Sequence, residues 1–185
     1  MTSTKSVAIV TGASQGIGRA AALWLKRDFS ALVLVARDKG RLEETAANVR
    51  SAGAEAMICD LDLRKQLSAE TVVKGTLDGF GCIDALLNIA GAVAQVDLFE
   101  MTDAQWDDGM ALKFHGARRL TILAWEALTK SKGSVVFMSG SAALDPKPAF
   151  AAVAAITRPS LRLRKHLPSK ALRTVCRSTA LSQGR

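Results

Sequence analysis

The stretch TGASQGIG, Thr11 to Gly18, constrains the fold more than any other part of the chain. It follows a short β-branched run, Val7 to Val10, and precedes apolar residues at helical spacing from Ile17 to Leu25. A glycine cluster that joins a strand to a helix has a mechanical meaning. Gly12 permits a tight turn, Gly16 a close backbone approach to a pyrophosphate, and Gly18 close packing of the helix on the strand. The helix that starts there offers unpaired N–H groups and a favourable dipole to an anion.

Strand and helix patterns then alternate. ALVLVA at 31–36 precedes the helical pattern RLEETAANVRSAG, which closes at Gly53. EAMICD and CIDALLNIAG read as two further strands, flanking a polar helical segment at about 64–79. TDAQWDDGMALKFHGARRLTILAWEALTK predicts one long helix with Thr102 or Asp103 as its N-cap, and GSVVFMSGS a fifth strand. Near-continuous apolar strands separated by helices indicate an α/β chain. The expected fold is a Rossmann-type doubly wound parallel sheet with helices on both faces.

At 185 residues and 49% apolar content, one domain with a sizeable core is expected. The apolar run before Gly12 is too short for a signal sequence or a membrane span, so the expected location is the cytoplasm, with no membrane partner. Cys59, Cys82 and Cys176 form no CxxC pair and suggest neither a disulfide framework nor a metal site. The net charge of +8 is local: eight basic residues and no acid lie from Thr157 onward, leaving 17 basic against 17 acidic residues before it. The body is neutral, and no nucleic-acid partner is expected.

TGxxxGxG, followed by CDLD after the third strand and NIAG after the fourth, resembles the short-chain dehydrogenase/reductase family over residues 5–156. The resemblance implies an oxidoreductase acting on a small carbonyl or alcohol with a nicotinamide dinucleotide. Its phosphate loop would be Gly12, Ser14, Gln15, Gly16, Ile17 and Gly18. By the same resemblance Asp60 and Leu61 contact the adenine, while Asn88, Ala90 and Gly91 support the sheet and the nicotinamide side. Cofactor choice turns on VLVARDKGRL. An acid at the end of strand two would bind a ribose hydroxyl, whereas Arg37, with Arg41 nearby, suits the extra phosphate. NADP(H) is therefore favoured, with NAD(H) possible.

The catalytic pattern that the resemblance implies is absent. Reducing a carbonyl requires a proton donor for the developing alkoxide, and tyrosine serves only when a nearby cation lowers its pKa. The chain has no tyrosine; Val153 stands at the family's Tyr position and Thr157 at its Lys position. Lys113 occupies the Asn position, and the usual Ser falls on Gly140, between Ser139 and Ser141. Ser139, Ser141 and Lys113 are the remaining catalytic candidates, Lys113 as a cation able to polarise a carbonyl. His115 is expected on the helix surface. The alternative is a non-catalytic or regulatory dinucleotide-binding protein.

At Thr157 the chain changes character. FAAVAAI is a good helix former, but Pro159, Arg162, Arg164 and Lys165 follow, so 1–156 is expected as the dinucleotide-binding domain and 157–185 as a tail that is disordered, irregular or at most marginally helical. The sheet would then be C-terminally incomplete, and a family-type homo-oligomer is disfavoured. The tail admits codons that restore the family pattern when read one base earlier. ACG CGG CCA TCG, for Thr-Arg-Pro-Ser, regroups after one added A to AAC GCG GCC ATC, or Asn-Ala-Ala-Ile. Continued to Gly184, this gives NAAIVALAKAFAEQGIKDGVQVNSALPG, with an apolar helix, a Val-Asn strand and a Pro-Gly turn. A lost base near codon 157 is the expectation. The restored frame would still lack the Tyr and Lys.

Overall fold

The computed structural model describes residues 5–94, 96–144 and 150–166, apart from the side chains of 141, 161 and 164–166. Five strands run in parallel: β1 (Val7–Thr11), β2 (Ala31–Ala36), β3 (Glu55–Asp60), β4 (Ala85–Asn88) and β5 (Ser134–Phe137). Their order is β3-β2-β1-β4-β5. The expected doubly wound sheet is present, and its order reverses direction beside β1, where such sheets open a crevice at the carboxyl ends of the strands.

The alternation of side chains along β1 builds two cores. Ala8 and Val10, with Leu32 and Leu34, pack on one face with Ala22 of α1 (Gly16–Leu25) and Leu42, Ala46 and Val49 of α2 (Lys39–Arg50). Val7 and Ile9 face the other side, toward Val72 and Val73 of α3 (Gln66–Phe80) and Leu120, Ala124 and Leu128 of α5 (Ala117–Lys130). Burial on both faces explains why the strands read as continuous apolar runs.

The expected long helix comprises α4 (Asp103–Met110), a π-helical segment at Ala111–Gly116, and α5. Thr102 is its N-cap: Thr102 Oγ1 accepts from the Gln105 N–H at 3.3 Å, and Gln105 Oε1 accepts from the Thr102 N–H at 3.0 Å. Periodicity does not reveal the π segment, which widens the helix where α6 packs on it. Such segments inside α-helices frequently mark functional sites.

The expectation of irregular chain from Thr157 is corrected for residues 157–166, because α6 spans Ala151–His166 with Pro159 inside it. Proline removes the N–H that would bond the Ala155 carbonyl, but Ala155 is exposed, so water can solvate that carbonyl. Ile156 and Ser160 are buried and Leu163 packs on the core, while Arg158 and Arg162 face solvent. The apolar stripe therefore crosses the basic segment intact. The rest of the tail, with Cys176, lies outside the described residues.

Candidate functional site

The carboxyl ends of β1, β2 and β4 border a cavity of about 720 Å³. Gly12, Ser14, Gln15, Gly16, Ile17 and Gly18 all line it. Gly12 has φ +72°, and a Cβ there would lie 3.2 Å from the Ala90 backbone. A Cβ on Gly18 would lie 2.1 Å from the Gly12 carbonyl oxygen, so α1 can sit this close to β1 only with hydrogen at that position. Gly16 is open to the cavity at φ +53°. No side chain caps the start of α1, and its first turn holds no acid. Its free N–H groups are thus available to an anion.

Thr11 ties this loop to the end of β4. Its hydroxyl donates to the Leu87 carbonyl at 3.1 Å and accepts from the N–H groups of Ile89 and Ala90 at 2.9 and 3.0 Å. Ala90 and Gly91 line the cavity. Asn88 does not: it is buried and donates to Thr121 Oγ1 at 3.2 Å, which ties the end of β4 to α5. Leu61 lines the cavity, whereas Asp60 ends β3 outside the lining.

At the β2 end, Asp38 caps α2 by accepting from the Arg41 N–H at 3.0 Å. The Arg41 guanidinium pairs with Asp38 and donates to Gln15. Arg37 is exposed and lines the cavity, and no hydrogen bond or ion pair holds it among the described residues. Sequence reasoning missed Arg64, a further lining residue. It donates to both Asp108 oxygens, one at 2.8 Å, and to Asp62 at 3.3 Å, joining the loop after β3 to α4. Hydrogen bonding from Arg64 holds the Asp108 carboxyl below its usual range, with smaller help from the charges of Arg64 and Arg37. The only sequence signal was a basic residue just beyond CDLD.

The opposite end is lined by Ile89, Ala90, Gly91, Ala92, Leu112, Lys113 and Met138. Lys113, on the π-helical segment, is 8% exposed, and burial lowers its pKa to about 8. Gly91 makes room for it: a Cβ there would lie 2.6 Å from Lys113 Cδ and 3.0 Å from Nζ. The other positions supply no acid or base. Ser139 is buried outside the lining, with its hydroxyl unpartnered, and the side chain of Ser141 lies outside the described residues. Val153 is half-buried; the buried Thr157 hydroxyl donates back to the Val153 carbonyl at 2.7 Å. His115 packs edge-on against Phe114. Burial, then the Asp60 charge, pushes the Cys59 thiol up to about 11, which keeps it protonated. No described helix is long and apolar enough to cross a membrane.

The short chain dehydrogenase profile matches residues 6–156. 11-beta-hydroxysteroid dehydrogenase-like 2 of Arabidopsis thaliana is 34% identical over 145 residues, covering 77% of this chain and 47% of its own length. The chain thus spans about half the length of the first curated relatives it matches. An alcohol dehydrogenase from the archaeon Thermococcus sibiricus, complexed with 5-hydroxy-NADP, superposes with a TM-score of 0.84 at 27% identity over 92% of this chain and 74% of its own. NAD⁺-bound xylitol dehydrogenase superposes with a TM-score of 0.80 at 26% identity over 85% and 62%. With its glycine turn, its strand order and a profile match over most of its length, the chain belongs to the short-chain dehydrogenase family.

Proposed function

We propose that the cavity binds a nicotinamide adenine dinucleotide, with NADP(H) preferred, and that the chain is an oxidoreductase of small carbonyls or alcohols whose turnover is weak. The observation that carries this reading is the uncapped start of α1, which opens on a large cavity through a turn whose glycines cannot be replaced without strain or collision. The pyrophosphate would rest on the N–H groups of that turn. The guanidinium of Arg37, unpaired among the described residues, is suited to the adenosine phosphate, since Arg41 is already engaged with Asp38 and Gln15. When bound, the dinucleotide supplies the hydride; the chain supplies orientation and charge. Among the residues lining the far end, Lys113 is the charged one, placed to polarise a carbonyl oxygen.

A second reading, a dinucleotide-binding protein without turnover, is favoured by Val153 and by the Thr157 hydroxyl being committed to its own helix. Fluorescence titration with NADPH and NADH at fixed ionic strength tests the common part. Tighter NADPH binding is expected, and equal affinities would remove the role of Arg37. A screen of small aldehydes and ketones with saturating NADPH separates the two readings by the presence or absence of oxidation.

A further inference from the structure

Lys113 has chemistry beyond a fixed positive charge. Lys113 is 8% exposed and lines the end of the cavity where Ile89, Ala90, Ala92, Leu112 and Met138 supply apolar surface. Among the described residues it makes no ion pair, and burial is the sole cause of its lowered pKa, with no hydrogen-bonding or charged partner contributing. The carboxylates lining the cavity are Asp38, paired with Arg41, and Asp62, paired with Arg64. Gly91 leaves space for the side chain where any Cβ would collide.

We infer that Lys113 is a carbonyl-capturing amine, which takes small neutral aldehydes or ketones as a protonated imine in the apolar end of the cavity. The nitrogen lone pair attacks the carbonyl carbon and forms the C–N bond. The carbonyl oxygen takes up one proton from the amine and one from solvent, its bond to carbon breaks and it leaves as water, and the nitrogen keeps one proton and a positive charge. Desolvated lysines are suited to this because the neutral amine is the nucleophile. With a pKa of about 8, roughly a quarter of Lys113 is neutral at about pH 7.5, against about one part in a thousand for an ordinary lysine in water. Apolar lining favours a neutral, short-chain carbonyl over a charged one.

Capture needs only the amine and the cavity, so it is tested without dinucleotide, and its failure would leave the proposed cofactor binding untouched. The protein is incubated with butanal and sodium cyanoborohydride, which reduces the imine to a stable butylamine, and is then mapped by peptide mass spectrometry. Butylation of the Lys113 peptide is expected at least about tenfold faster than that of the exposed Lys74 and Lys130. Lys113→Arg keeps the charge but has no capturing amine, and Lys113→Met has neither. Both variants, once shown folded by circular dichroism, should lose the fast-labelled site. Labelling of the wild-type Lys113 peptide no faster than that of Lys74 and Lys130 overturns the inference, whatever the variants do. So does a fast-labelled site that persists in Lys113→Arg.

Discussion

The two ends of the cavity are held by different means. At the β1 end, position is set by backbone against backbone: Gly18 on the Gly12 carbonyl, Gly12 on Ala90, and Thr11 bridging to Ile89 and Ala90. At the far end the charged lining residue is Lys113, a side chain on the π-helical segment with Gly91 against it. The β1 end cannot change without moving α1. The far end carries its charge on one side chain, Lys113, which faces the cavity and takes no part in seating α1 on β1. The family's fold is therefore held at this corner by contacts that do not involve Lys113.

The largest expected effect comes from breaking the rigid end. In Gly18→Ala the new methyl would collide with the Gly12 carbonyl, and neither backbone segment can yield without displacing the helix. Overpacking of this kind should cost at least about 3 kcal/mol in urea denaturation and abolish dinucleotide binding. A loss below about 1 kcal/mol would show that this corner is no more rigid than the other.

The flexible end should respond in the opposite sense. Burial disfavours the charged form of Lys113, so the wild type carries a destabilising charge below its folded pKa of about 8. That cost fades as pH rises, and is gone above the ordinary lysine value of 10.5. Lys113→Met should therefore stabilise the protein at neutral pH by up to about 3 kcal/mol, with the gain shrinking between those two values. Melting curves at neutral and alkaline pH check this. A variant less stable than wild type at pH 7 would show that the ammonium is satisfied in place. A smaller effect belongs to the mouth of the cavity, where Arg37→Asp replaces attraction for the adenosine phosphate with repulsion. NADPH affinity should fall at least about tenfold relative to NADH, in paired fluorescence titrations.

Legibility in the sequence follows the same division. The glycine turn, the five parallel strands and the Thr102 cap were readable because each rests on local chemistry or on a run of apolar residues. Arg64 was hidden because its partners, Asp62 and Asp108, come together only after α4 docks beside the loop that follows β3. The π-helical segment was equally hidden, since the hydrophobic pattern runs through it unchanged. At Thr157 the signals were read correctly but weighed wrongly. Pro159 and the arginines oppose a buried helix, yet Arg158 and Arg162 fall four residues apart on the solvent face, and Ile156, Ser160 and Leu163 keep the inner one. Helical geometry here does not speak against a lost base, since α6 begins six residues before the proposed lesion. Sequencing the gene across codon 157 should reveal one base too few relative to a frame that reads Asn-Ala-Ala-Ile. An intact frame shared by closely related genes would discard the proposal.

The smallest expected effect is at Gly140, and it separates architecture from chemistry. Among the described residues a Cβ there meets nothing within 4 Å, and the residue is not among those at positive φ. Its carbonyl accepts from the Ala143 N–H at 3.1 Å, a backbone bond that any side chain would preserve. Gly140→Ser should therefore change stability by less than about 0.5 kcal/mol. It would also restore a hydroxyl at the family's serine position. Turnover should nonetheless stay at the parent level, because a serine can orient a carbonyl but does not replace the proton donor missing at Val153. Carbonyl reduction is measured as NADPH oxidation for the parent and the variant at matched cofactor saturation. A tenfold gain from this hydroxyl alone would mean that a proton already reaches the alkoxide, from Lys113 or from water, and that the far end is closer to a working site than its side chains suggest.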